Sequence, residues 1–308
     1  MAILSPMRIL LTNDDGIRAP GLIALYDALT DARSVFGGPI AEVVWPIAPL
    51  TAQSATSHGV TFHTPLMTSS ERINDRMEGI AVDGRPADCV KLAVCSLWPE
   101  RFGDGSRPDL VISGMNAGAN VGINVIYSGT VGAAIEAAFL GVPSIAVSLH
   151  LGRGRPRFDL AAEHARRAIE KLLTGGIGPR GALKPHGCIN INIPRTEEPL
   201  APGETPIPIP DEHPVAKSPD DHDPHEMPPM VVCPMNIHGL VDAYERRAAP
   251  SGATYYWAAG GGLDFRDADP GTDVDLLLRR CITVTPLRYD LTDHSERDRW
   301  RLLLDSTN

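Results

Sequence analysis

Two adjacent carboxylates, Asp14 and Asp15, stand in the run Asn13-Asp14-Asp15-Gly16, directly after the apolar run Ile9-Leu10-Leu11. Side by side they repel each other unless a cation lies between them, and their hard oxygens favour Mg²⁺ or Mn²⁺. Further on, the chain reads Ser113-Gly114-Met115-Asn116-Ala117-Gly118-Ala119-Asn120, again just after an apolar run. Small residues let a backbone approach a ligand closely, and Asn116 and Asn120 add side-chain carbonyls and amides. A third run, Tyr127-Ser128-Gly129-Thr130, precedes a helical pattern from Val131 to Leu140. The unpaired amides and positive dipole end of a helix start form a natural phosphate seat. Taken singly, the three also read as an Asp-Gly turn, a glycine-rich loop and a helix cap supplied by Ser128 or Thr130. Three oxygen-rich sites after successive strands together favour one metal-and-phosphate pocket.

The elements that must position these residues alternate in type. Ile9 to Leu11, Val43 to Trp45 (closed by Pro46), Leu110 to Ile112, Ser144 to Leu149 and Cys188 to Ile193 read as buried strands. Between them, apolar residues recur at helical spacing from Pro20, where Leu22, Leu25, Tyr26 and Leu29 share a face, and over Pro86–Leu97, Thr130–Leu140 and Phe158–Leu173. Such alternation predicts an α/β fold with a mostly parallel sheet and helices on both faces, and ligands at the carboxyl ends of its strands. Between Pro194 and Pro234 lie 12 of the 28 prolines, around an acidic, His-bearing centre from Asp211 to Glu226. That stretch should be extended, with His213, His222 and His225 reading as parts of a solvated linker. Strand-like runs at Thr254–Ala258 and Ile282–Pro286 and a short polar helix end the chain. Glu136 reads as a buried or paired helix residue.

Composition narrows the classes further. The chain has 308 residues, 43% of them apolar, enough for a sizeable core, and a net charge of −10. That balance excludes a binder of nucleic-acid duplexes held by phosphate contacts, which needs a basic face. The most apolar region, Val131 to Leu149, is broken by Glu136, Gly141 and Pro143 into helix, turn and strand, well short of the ~20 residues a membrane span needs. Five cysteines without a C-x-x-C pair point to a reducing cytoplasm, and residues 1–8 do not read as a signal peptide. P-loop, zinc-protease and G-x-S-x-G motifs are missing, and no G-x-G-x-x-G follows the first strand.

The opening Met7-Arg8-Ile9-Leu10-Leu11-Thr12-Asn13-Asp14-Asp15-Gly16, with Ala19-Pro20-Gly21, resembles that of the SurE survival-protein family, the metal-dependent nucleotidases. Ser113 to Gly122, followed by Val125-Ile126-Tyr127-Ser128-Gly129-Thr130-Val131, resembles that family's second signature. Gly84 to Val90, Asn190-Ile191-Asn192-Ile193-Pro194, Pro270-Gly271-Thr272-Asp273 and Ile282 to Leu287 resemble further segments. The likeness runs from Met7 to about His294 and is weakest between Arg195 and Ser251. It implies that Asp14, Asp15, Ser54 and Asn116 hold one divalent cation per subunit, Mg²⁺ or Mn²⁺. It also implies that Asn120, Ser128, Gly129 and Thr130 hold the phosphate, with Asp14 and Asp15 as the catalytic pair. The stretch Ile47 to Gln53 departs from the family by carrying no charged residue before Ser54, and Ala55 stands where a glycine often follows.

The expected architecture is a three-layer Rossmann-like core over residues 7–195 and a proline-rich acidic insertion over 196–250. Residues 251–308 would add strands and a helix used in oligomer contacts. The expected activity is hydrolysis of nucleoside 5′-monophosphates, with 3′-monophosphates as further substrates, by a homodimer or homotetramer. The rival is a non-catalytic nucleotide- or phosphate-binding sensor module with a Mg²⁺-type site, of which a receiver-like domain is one form. That form would need a phosphoacceptor Asp after a central strand, where Ser113 and Asn116 stand, and a Lys after a later one, where His150 stands.

Overall fold

The computed structural model describes residues 7–152, 154–175, 183–197, 225–240, 243–258 and 265–305. The chain opens with β1 (Arg8–Thr12), α1 (Pro20–Leu29), β2 (Val43–Pro49), β3 (Met67–Arg72) and β4 (Glu78–Asp83). It continues through α2 (Pro86–Leu92), a π turn (Ala93–Leu97), α3 (Trp98–Phe102), β5 (Leu110–Ala117) and a 3₁₀ turn (Gly122–Ile126). Then come α4 (Gly129–Phe139), β6 (Ser144–Leu149), α5 (Phe158–Thr174), β7 (Cys188–Ile193) and β8 (Met230–Val232). The hairpin β9 (Tyr244–Ala248) and β10 (Thr254–Ala258), α6 (Asp273–Leu278), β11 (Ile282–Leu287) and α7 (His294–Asp305) complete it.

Nine strands form one sheet in the order β3-β4-β2-β1-β5-β6-β7-β11-β8. All neighbours are parallel except β3 with β4 and β7 with β11. Successive residues of β1 bury opposite ways: Ile9 and Leu11 join α1 and α5, whereas Leu10 joins α2 and α4. A strand covered on both faces needs apolar residues throughout, which explains its unbroken run. The chain leaves β1 toward β2 and later returns to the other flank of β1 as β5. The crevice where connections part in this way is where open sheets bind ligands.

Several elements differ from the sequence reading. Pro46 does not close β2, which pairs with β1 as far as Pro46 and with β4 from Ile47 onward. Pro46 is the last residue paired with β1 and directly precedes the first paired with β4, a position where a strand tolerates a missing N–H. The stretch Ser113–Ala117 is part of β5 rather than a loop after it. The segment Pro86–Leu97 is helical as read, α-helical to Leu92 and π-helical from Ala93 to Leu97, but the helical run continues past it to Phe102. The proline-rich stretch yields a strand after all, since Met230–Val232 pairs in parallel with β11. His213 and His222 lie outside the described residues, and His225 is exposed. No helix among the described residues is long and apolar enough to cross a membrane.

Candidate metal and phosphate site

Beyond Thr12 the chain turns sharply, and Asn13 makes the turn. Its Nδ2 donates to the Gly16 carbonyl at 2.9 Å, and its Oδ1 accepts the Gly16 amide at 3.2 Å. Gly16, at φ +100°, takes a conformation that strains any side chain. The two carboxylates then diverge. Asp14, 5% exposed, packs against the first turn of α4, where Thr130 donates its hydroxyl to Asp14 Oδ1. A Cβ on Gly129 would stand 2.9 Å from the Asp14 Cβ, so glycine is what admits this approach. Asp15 turns to β5 and accepts the Ala117 amide on Oδ2 at 2.9 Å.

Burial is the main force pushing the Asp14 carboxyl up to about 6; the Thr130 hydroxyl opposes it and the Asp15 charge adds to it. Burial also raises Asp15, against the pull of the Ala117 amide. Both carboxylates therefore lack compensating positive charge, which is the condition a bound cation relieves. Among the described residues, no three His, Cys, Asp or Glu side chains converge as a ready-made cage. A hard ion such as Mg²⁺ does not need one, because one or two carboxylates, neutral oxygens and water suffice.

Neutral oxygens are close at hand. Asn116 follows a register shift between β5 and β6, and such bulges re-aim side chains beside sites. Its Nδ2 donates to the Gly118 carbonyl at 2.8 Å, which orients the side-chain amide and leaves Oδ1 as the oxygen it can offer a ligand. Ser54 is exposed in the loop after β2, and its neighbour Gln53 donates its amide to the Asp14 carbonyl at 2.7 Å. The metal candidates thus border the same turn.

The phosphate candidates divide. Gly129 and Thr130 meet Asp14 directly, while Ser128 caps α4, its Oγ accepting the Val131 amide at 3.1 Å. Asn120 faces β6 and β7: its Nδ2 donates to Ser148 Oγ at 2.8 Å and its amide to Asn192 Oδ1 at 2.8 Å. Its carbonyl accepts Asn190 Nδ2 at 2.7 Å and Asn192 Nδ2 at 3.1 Å. Sequence reasoning missed this support, although Asn-Ile-Asn in an apolar strand puts two amides on one face. The amides of Gln53 and Ala117 had no signal of their own, since any residue type supplies a backbone N–H.

A family model described as Survival protein SurE matches residues 9–205. The chain belongs to the SurE family. The 5′-nucleotidase SurE of Desulforudis audaxviator (strain MP104C) is 39% identical to it over 295 residues, 95% of each chain. The 5′-nucleotidase SurE of Heliobacterium modesticaldum is 38% identical over 290 residues, 94% of this chain and 89% of that one. The crystal structure of the SurE protein from Aquifex aeolicus matches with a TM-score of 0.67 at 30% identity, covering 96% of this chain and 99% of that one. The SurE match takes in the Asp14–Asp15 turn, the Ser54 loop, Asn116 and the start of α4 alike.

Proposed function

We propose that this chain hydrolyses nucleoside 5′-monophosphates, and 3′-monophosphates as well, to nucleoside and phosphate in a reaction dependent on a divalent cation. The observation that supports this reading is the seat of Asp14 against the first turn of α4, where the free amides of a helix start lie beside a carboxylate pair, a setting suited to an anion and a cation together. Asp14, Asp15, Asn116 Oδ1 and Ser54 Oγ would hold one Mg²⁺ or Mn²⁺ per subunit. When bound, the cation supplies charge neutralisation to the phosphoryl oxygens. The first amides of α4, at Ser128, Gly129 and Thr130, lack intrahelical acceptors and would take up charge developing on the equatorial oxygens. Asn120 would hold the neighbouring loop in register through Ser148, Asn190 and Asn192. Monoester hydrolysis demands accelerations of up to ~10²¹-fold, which positioning and charge neutralisation must supply.

Residues 7–195 are assigned the chemistry in this proposal, with 196–250 an insertion and 251–308 completing the sheet and making subunit contacts. The hairpin β9–β10 exposes Tyr244, Tyr256 and Trp257, and α7 buries no residue while exposing Trp300 and Leu302. Apolar surface of this kind marks contacts, here those of a homodimer or homotetramer. A cytoplasmic setting belongs to the same proposal and rests on the odd set of free cysteines. The test is phosphate release from a panel of nucleoside monophosphates with Mg²⁺, Mn²⁺ or a chelator. Release that a chelator abolishes supports the enzyme; tight nucleotide binding without release would make the chain a sensor instead.

A further inference from the structure

Glu136 lies in α4, six residues after Thr130, with 3% of its surface exposed. Its carboxylate accepts two hydrogen bonds from separate elements, His58 Nε2 at 2.7 Å and Lys91 Nζ at 2.7 Å. Burial alone would raise this carboxyl, but the bonds from His58 and Lys91 outweigh it and hold Glu136 below the usual range. Lys91 comes from the end of α2, a regular and well-packed helix. His58 comes from the loop that carries Ser54.

That loop has no apolar anchor. No residue between Thr51 and Phe62 is buried, and Phe62 itself is 76% exposed. Its course is set instead by polar bonds to the elements around the site. Gln53 binds the Asp14 carbonyl; the Ser57 hydroxyl donates to the Ile126 carbonyl at 2.7 Å and the Ser57 amide to the Tyr127 carbonyl at 3.0 Å. Thr61 donates its amide and hydroxyl to Asp88 at 2.8 and 2.7 Å. Between these, the Ser57–His58 backbone crosses α4 at Gly132, where a Cβ would meet the Ser57 carbonyl at 2.9 Å. The His58 ring then lies on Phe139, with centroids 5.0 Å apart, and reaches Glu136. His58 to Glu136 joins the middle of the loop to a buried charge, as Thr61 to Asp88 does at its end, and charged hydrogen bonds are the stronger class.

We propose that His58 and Glu136 are positioning residues that hold the Ser54 loop against α4, so that Ser54 stands beside the carboxylate pair ready to ligate a cation. The naming of Ser54 as a ligand rests on the nucleotidase reading; the clamp on the loop does not. Helix α4 then fixes both halves of the site, Asp14 through Thr130 at its first turn and the Ser54 loop through Glu136 further along.

The experiment compares His58→Ala with His58→Gln, because glutamine Nε2 can donate at nearly the reach of histidine Nε2. Hydrogen–deuterium exchange of the metal-free full chain reads the loop, Mn²⁺ calorimetry reads the site, and phosphate release reads turnover. In His58→Ala, residues 53–58 should exchange at least about tenfold faster and Mn²⁺ affinity should fall about tenfold. His58→Gln should stay within about twofold of the natural chain on both, and melting temperatures should shift little. Unchanged exchange or Mn²⁺ affinity in His58→Ala would overturn the proposal, and so would a His58→Gln variant as impaired as the alanine. Should the natural chain neither bind Mn²⁺ nor release phosphate, the nucleotidase reading fails, while the exchange comparison still decides the clamp.

Discussion

Thr130 donates its hydroxyl to Asp14 although 116 residues separate them in the chain. The bond ties the end of β1 to the start of α4, so the carboxylate pair is held against the first turn of that helix. Thr130→Val keeps the volume and the β-branch, both tolerated in a first helical turn, and removes only the donor. A hydrogen bond to a charged group contributes about 1.5–3 kcal/mol. Turnover should fall roughly 10- to 100-fold, and the metal-free protein should melt a few degrees lower because the buried Asp14 carboxylate loses a donor. Nucleoside monophosphate hydrolysis at the natural rate would remove Thr130 from the site.

Gly21 gives the opposite kind of variant, in which packing decides against propensity. Alanine in a helix ordinarily stabilises by about 0.5–1 kcal/mol over glycine. Here the new Cβ would stand 2.1 Å from the Met115 carbonyl oxygen, a backbone atom of β5. Either α1 or β5 must move, at a cost of about 1–3 kcal/mol. Gly21→Ala should melt several degrees lower and bind Mn²⁺ more weakly, because Asn116 follows Met115 directly. A variant melting at or above the natural temperature would show that α1 does not press on β5.

The central strands and the carboxylate pair were legible because each is a local pattern. Ile9-Leu10-Leu11 announces a strand buried on both faces, and Asp14-Asp15-Gly16 announces a turn bearing two charges. The edge hairpin of β3 and β4 was not, since Met-Thr-Ser-Ser-Glu-Arg alternates nothing apolar and is almost wholly exposed. Ser113–Ala117 hid its strand for a related reason: small polar residues look like a loop until neighbours on both sides pair with them. Pro46 misled because proline ends a strand only where its N–H is needed. His58 and Glu136 stand 78 residues apart, and no spacing rule connects a loop histidine with a helix carboxylate. The same holds for Asn120, whose partners Asn190 and Asn192 are set by the parallel register of β6 and β7.

His150, at the end of β6, supplies a test of pH. Burial, then the positive charges of Arg195 and Arg280, hold its folded value at about 3, against 6.5 for an ordinary histidine. The unfolded chain takes up a proton below about 6.5 and the folded chain does not. Stability from the neutral ring is thus complete above pH 6.5 and is lost as pH falls toward 3, by about 1.4 kcal/mol per unit within that window. Asp14, raised by burial to about 6, works the other way in metal-free protein, so the readout must be a difference between variants. In chelator, His150→Gln should lose less melting temperature than the natural chain between pH 7 and pH 5. Parallel curves would mean that His150 charges in the folded state.

Asp15→Asn separates metal chemistry from turn formation. Asparagine keeps the size of the side chain and one carbonyl oxygen, so the Ala117 amide retains its acceptor at the end of β5. One negative charge is lost from a pair that burial already disfavours. Without metal the variant should therefore melt at the natural temperature or above it, since carboxylate repulsion is relieved. With Mn²⁺ the order should reverse: the natural chain gains stability by ligand linkage, and the variant gains little. Turnover should fall below detection, because a hard divalent ion needs anionic oxygens to displace its water. If Asp15 only shaped the turn, asparagine would serve nearly as well, being itself a favoured turn residue. Melting curves and phosphate release for both proteins, with and without Mn²⁺, decide between the two. Normal Mn²⁺-dependent turnover in Asp15→Asn would refute the metal site at the end of β1, and with it the chemistry assigned to this chain.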